Sequence, residues 1–221
     1  LQKVNAIPGV GGVKVYRAWN SNLSPAELMP PEEAGEWLDG LTGVPPNILT
    51  WLQVVYHAGK NSLLTVGGTV KLVIIDSTFS VPSDTLVDTV QTAIDPTQNA
   101  GEGVGIAPIG HVVKVFPVAL ETLDLAFSLY YQRGWTWDDV KPYAEEAVNG
   151  YFLEMAQGWA DQEEALIVRV SQLESRLLSI PGILDVANTK INGTAANYNL
   201  PLDTIPALGA MTAETATIAG A

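Results

Sequence analysis

Hydrophobic and polar positions along the chain switch between a period of two and a period near 3.6, and each switch predicts an element. Residues 13–19 form a strand-like run. In 69–75, Val70, Leu72, Val73, Ile74 and Ile75 give a β-rich stretch that reads as a largely buried strand. Between these runs the pattern is helical. Ser24-Pro25-Ala26-Glu27 is a capping box with Pro at the first helical position, and Ile48, Leu49, Leu52, Val55 and Tyr56 fall on one helical face. Pro30-Pro31 and Pro45-Pro46 cut this stretch into short pieces. Pro82 and Ser83 open a helix with Leu86, Val87, Val90 and Ile94 on one side. Asp95-Pro96 stops it, because a residue before proline disfavours helical backbone. A glycine-rich loop over 101–110 then leads to a strand at 111–118.

The second half repeats the theme. Leu123, Leu125, Phe127, Leu129 and Tyr131 alternate with polar and small residues, which marks a half-buried strand. Thr136 with Asp139 three residues on is an N-cap, and Asp138 and Asp139 suit the helix dipole. Val140, Tyr143, Ala147, Val148, Tyr151 and Met155 make the apolar face of that helix, with Pro142 tolerated in its first turn. Residues 165–170 read as a strand, and Ser171-Gln172-Leu173-Glu174 as a capping box for a helix carrying Leu173, Leu177 and Leu178. A strand at 183–191, the Asn192-Gly193 turn and a short segment at 200–205 follow. Residues 211–221 are small and polar and are expected to fray.

One motif occurs twice. Ile7-Pro8-Gly9-Val10-Gly11-Gly12-Val13 returns as Ile180-Pro181-Gly182-Ile183-Leu184-Asp185-Val186, each copy leading into a strand. Pro lacks an N–H and Gly accepts positive φ, so the pair ends a helix and turns the chain. The reading is helix, sharp turn, strand, used twice. On that reading the first copy's helix lies upstream of Leu1, and the chain is expected to continue N-terminally. The predicted fold class is α/β (α+β), with two tandem small sheets each packed with helices. The first unit spans 1–117 and carries a helical insertion at 21–64; the second spans 118–210; 211–221 is a flexible tail. The boundary lies near Pro117 to Glu121.

Composition narrows the function. The 221 residues are 47% hydrophobic and 16% charged, enough for a sizeable core. No cysteine is present, which excludes disulfides, thiolate catalysis and cysteine-based zinc sites. Eleven basic residues are scattered among 24 acidic ones for a net charge of −13, so nucleic acid and anionic membranes are not expected partners. No apolar run approaches the roughly 20 residues that span a bilayer.

Candidate chemistry is thin. Gly101-Glu102-Gly103-Val104-Gly105 follows a predicted helix and precedes a strand, the reverse of a dinucleotide loop, and Glu102 would repel phosphate; a flexible loop is expected. His57 and His111 lack partners at metal-binding spacing. Glu32-Glu33, Asp138-Asp139, Glu145-Glu146 and Glu163-Glu164 fit helix starts and solvated faces better than glycosidase acids or a divalent-cation site. No catalytic residue, cofactor or metal is assigned. The aromatics say more. Trp135 and Trp137 flank a turn and Trp159 follows Gly158 at a helix end. Such residues either anchor a partner surface or close the local core, and the three are the candidate interface.

Several of these stretches, in order, resemble the Baseplate J-like family of contractile-tail phages. They are Pro8 to Trp19, Gly68 to Asp76, the helix to Ile94 with Asp95-Pro96, the loop from Gly101 to Gly110 with Ala107-Pro108-Ile109-Gly110, Pro181 to Val186, and Ile205-Pro206-Ala207-Leu208-Gly209. The resemblance covers roughly residues 4–20 and 65–210; its motifs are specific by order and not singly. The chain departs from the family at 21–64, where family members join the first two strands by a short connection. The resemblance implies a structural wedge component of a tail baseplate, the C-terminal two-thirds of a longer protein. It would be assembled in the bacterial cytoplasm in several copies, with other baseplate and tail proteins as partners and no catalytic residues. Two other readings stand beside it: a small-molecule-binding or hydrolytic α/β enzyme, whose best groups are His111 and the paired acids, and a surface adhesin module.

Overall fold

The computed structural model describes residues 2–17, 30–31, 33–60 and 68–215. The fold is α+β: small mixed sheets packed with helices. By internal contacts the chain divides into two compact units, one of residues 1–7, 14–73 and 84–116, the other of 8–13, 74–83 and 117–221. The expected capping box at Ser24 lies outside the described residues.

The first sheet has the order β1-β2-β3, with β1 at Val10–Arg17, β2 at Val70–Asp76 and β3 at Val113–Pro117. Ser77 N–H donates to the Gly9 carbonyl (2.8 Å), and Lys71 Nζ lies 5.3 Å over the Tyr16 ring. The partner number falls along the strand, so β1 and β2 run antiparallel. Val70 N–H donates to Val112 O and Val118 N–H to Ile74 O, each at 2.9 Å. There the number rises, so β2 and β3 run parallel. The crossover between them is the helix α4, Asp84–Ile94, with Val90 and Ile94 buried as its periodicity predicts.

Outward-facing backbone groups of β3 are not left bare. Gln91 Nε2 donates to Val113 O (2.9 Å), Val115 N–H donates to Gln91 Oε1 (2.8 Å), and Val113 N–H donates to Asp95 Oδ2 (2.8 Å). Two side chains thus occupy the positions a fourth strand would take, which closes the edge.

The second sheet has the order β6-β4-β8, with β4 at Ala119–Tyr131, β6 at Ile183–Ile191 and β8 at Thr204–Thr215. β4 is antiparallel to β6 and parallel to β8. Leu123, Leu125, Phe127 and Leu129 are buried, as the period of two requires. A bulge interrupts β8 between the partners of Leu123 and Leu125. There Asp124 Oδ1 accepts from Ala210 N–H (2.7 Å), and a Cβ at Gly209 would collide with that carboxylate. Asp124 also exchanges two bonds with Asn192, its N–H to Asn192 Oδ1 and Asn192 N–H to its carbonyl, both 2.8 Å. Asn192 and Gly193 have φ of 48° and 77°, as a two-residue hairpin turn demands.

Four elements depart from the sequence expectation. β8 runs to Thr215 and Met211 is buried, so 211–215 is paired strand and not frayed tail. Small residues hid it, since alternation of Ala and Thr carries little hydrophobic signal. The helix α6, Val170–Leu178, starts at Val170 with Arg169 as its N-cap, so Ser171 lies inside it and the expected strand at 165–170 shrinks to β5, Ile167–Val168. Asn197 Oδ1 takes the Val170 N–H (3.0 Å), and a distant residue thereby does the capping. β5 pairs only with β7, Tyr198–Asn199. In α5, Trp137–Gln157, the buried face is Val140, Ala144, Val148, Tyr151, Phe152 and Ala156, and Tyr143 is exposed.

The repeat is present in three dimensions. α1, Gln2–Asn5, precedes Ile7-Pro8-Gly9 as α6 precedes Ile180-Pro181-Gly182, so the last helical turn before the first copy lies within the chain, whereas the sequence reading places that helix upstream of Leu1. Ile7 N–H donates to Val4 O and Ile180 N–H to Leu177 O, both at 3.0 Å, and Val4 and Leu177 are both buried. Gly9 and Gly182 have φ of 93° and 97°.

Candidate interface surface

Trp159 lies in a 3-10 turn after α5 and is 1% exposed. Its side chain belongs to the core of its own unit and presents no surface. Trp135 is 36% exposed and Trp137, the first residue of α5, is half-buried. Trp135 stands against the second Pro-Gly turn, where a Cβ on Gly182 would collide with its ring. It therefore covers that turn and still shows part of an aromatic face outward. The N-cap beside it is built as predicted. Asp139 Oδ2 accepts from Thr136 N–H (2.8 Å) and from Thr136 Oγ1 (2.6 Å). These two bonds, the side-chain one first, hold the Asp139 carboxyl below the usual carboxylate range. Elsewhere in the unit, the Tyr198 hydroxyl donates to Glu121 Oε1 (2.8 Å), which raises its pKa, and burial raises that of Tyr131.

A second surface escaped the sequence reading. α2, Ala34–Asp39, and α3, Pro46–Lys60, pack on each other. Leu49, Leu52, Val55 and Tyr56 are half-buried as their face predicts, but Ile48, placed on the same face, is 45% exposed. Trp37, Trp51 and Val54 are each more than 60% exposed, and Gly59 is the buried residue of α3. The signal was available. Ile48, Trp51 and Val54 stand at i, i+3 and i+6 and widen the apolar face of α3 beyond the side that packs on α2, leaving Thr50, Gln53, His57 and Lys60 as its polar side. No acidic residue occurs between Asp39 and Asp76.

The groups considered for catalysis are not brought together. His57 is in α3 and His111 in the loop before β3. Among the described residues no cluster of three or more His, Asp or Glu could hold a metal ion. Asp139 serves the cap, Glu145 faces Lys141 at 3.8 Å, and Glu163 and Glu164 are exposed in a loop. Glu32 lies outside the described residues. The glycine-rich loop is not loose. Asp95, 1% exposed, accepts from Gly101 N–H (3.0 Å), Ile106 N–H donates to Ala93 O and Ala107 N–H to Ile94 O. A Cβ at Gly105 would strike the Ile94 carbonyl, so the glycine allows the loop to lie on the end of α4. Among the described residues no helix is long and apolar enough to cross a membrane.

Comparison with known proteins decides the family. Residues 50–117 match the Baseplate J-like central domain and residues 123–214 the Baseplate J-like protein C-terminal domain. The chain belongs to the Baseplate J-like family. Membership places it among phage baseplate-related structural proteins. Phage-like element PBSX protein XkdT of Bacillus subtilis (strain 168) is 32% identical over 162 residues, which are 72% of this chain and 44% of that protein. Uncharacterized protein YqbT of the same organism is 31% identical over the same length and shares. The chain thus spans less than half the length of these relatives. The central-domain match begins within α3, so residues 50–64 of the expected insertion fall inside the family pattern.

Proposed function

We propose that this chain is a structural part of a contractile-tail baseplate wedge, present in several copies in the virion tail and assembled in the bacterial cytoplasm. The ordered pair of family matches, central domain then C-terminal domain, carries the reading. It acts by packing against other baseplate and tail proteins and not by catalysis. The net charge of −13 supports a protein partner over nucleic acid or an anionic membrane. The end of one match at 117 and the start of the next at 123 support a module boundary there, with residues 8–13 and 74–83 of the first stretch grouping by contacts with the second unit.

Two patches are proposed as contact surfaces, Trp135 with Trp137 and the exposed side of α3 with Ile48, Trp51 and Val54; Trp37 of α2 is exposed as well. Partly or largely exposed aromatics are the side chains that dominate interface energies. Trp159, predicted with the first pair, is set aside because it is buried. The test is particle composition. Tails purified from the host that carries this gene should contain the protein at their distal end, by mass spectrometry and antibody labelling. Deleting the gene should leave tubes without baseplates. Normal, contractile tails from the deletion strain would refute the proposal. Trp51→Ala should cost about 2 kcal/mol at a true contact, read as reduced incorporation of a folded protein.

A further inference from the structure

The first unit contains an open apolar cavity of about 520 Å³. Val4 from α1, Val15 from β1, Leu72 from β2, Ile94 from α4, Ile106 from the glycine-rich loop and Val113 from β3 all line it. Its size suits several apolar side chains. The wall is preformed, because backbone bonds from Ile106 and Ala107 fix the loop on the end of α4, so an occupant pays little to order it. Apolar surface continues past the mouth. Val15 and Ile106 remain 39% and 41% exposed, and Ile109 on the same loop is 80% exposed. Such a patch on an open cavity suits a polypeptide laid across it.

Charge selects the occupant. Among the described residues no acidic side chain lines this cavity, in a chain that carries 24, and its ionisable lining groups are Lys3 and His111, both exposed. Elsewhere the net field repels acidic partners; the full charge carried by the described lining itself is the exposed Lys3 ammonium, while the nearby Asp95 carboxylate is buried and bonded to backbone N–H groups. We infer that the cavity is a docking site for an apolar peptide segment bearing carboxylates, supplied by a neighbouring protein. The existence of that neighbour rests on the baseplate reading, whereas the chemistry of the pocket does not.

The experiment uses the full chain and fluorescence anisotropy of a labelled six-residue peptide alternating Leu or Ile with Asp. Its counterpart has Lys in place of Asp. The acidic peptide should bind about ten-fold more tightly than the basic one, a difference of about 1.4 kcal/mol. Ile106→Glu, in the lining, should weaken the acidic peptide at least as much. Val104→Glu, on the same loop but outside the lining, should leave it unchanged. Lys3→Glu sits at an exposed position that the fold does not need, and it should reverse the preference between peptides. Equal binding of both peptides, binding of neither, or a preference that Lys3→Glu leaves intact would overturn the inference. Absent preference in a protein that still enters tails sinks the pocket alone. Retained preference in a protein missing from tails sinks the baseplate reading alone.

Discussion

The two three-stranded sheets follow one plan and are finished differently. In each, a helix, a Pro-Gly turn and a strand lie antiparallel to a central strand, which is parallel to a third. Even the contact that anchors the turn recurs. Gly9 O accepts from Ser77 N–H just past β2, and Gly182 O accepts from Gln132 N–H just past β4, at 2.8 and 2.9 Å. Chain order differs: the Pro-Gly strand comes first in one sheet and between the other two strands in the second. The shared part is what local chemistry dictates, a helix end and a positive φ. The third strand is held by unlike means, side-chain capping by Gln91 and Asp95 on β3 and a bulge clamped by Asp124 on β8.

Alanine at the two turn glycines tests the equivalence most strongly. Gly9→Ala should cost about 1–2 kcal/mol, the penalty of left-handed backbone with a Cβ. Gly182→Ala should cost about 2–5 kcal/mol, because collision with the Trp135 ring adds overpacking. Urea unfolding reads both. The double variant with Trp135→Ala should recover part of the second loss, and strict additivity would show that the ring does not crowd the turn.

Capping of β3 is the difference between the sheets, and Asp95→Asn attacks it. One of the two N–H groups on that carboxylate then faces an amide NH2, at a cost of about 1–3 kcal/mol. Amide exchange should accelerate at Gly101 and Val113 and stay unchanged along β4. Uniform acceleration would mean that Asp95 supports the whole fold and not one edge.

The N-cap of α5 gives the smallest effect, with a sign fixed by its lowered pKa. A carboxyl depressed in the folded state stabilises above its unfolded pKa, and that contribution is lost as pH falls through the folded value. Asp139→Ala should therefore lower the melting temperature slightly at neutral pH, and the gap to wild type should close in acid. A gap independent of pH would assign the loss to helix packing instead.

What could be read from the sequence follows the range of the forces. Both Pro-Gly turns, the stop at Asp95-Pro96, the Thr136–Asp139 cap and the alternation through Leu129 were legible, since each depends on residues a few positions apart. The start of α6 was not, because its cap, Asn197, arrives from 27 positions away. The order of the glycine-rich loop was not, because Asp95 and the end of α4 impose it. For the candidate interface, residue type pointed to tryptophan but could not separate Trp159, sealed in a core, from Trp51, left in solvent.

The parallel pairing of β4 and β8 has a mechanical side. Ten residue pairs, from Ala119 with Thr204 to Leu129 with Thr215, are registered along these strands. Tension applied between the start of β4 and the end of β8 runs along the strands and loads their bonds together in shear, where an antiparallel hairpin pulled at its open end would unzip one bond at a time. A load carried by the last strand of the second unit is thus shared across that whole register.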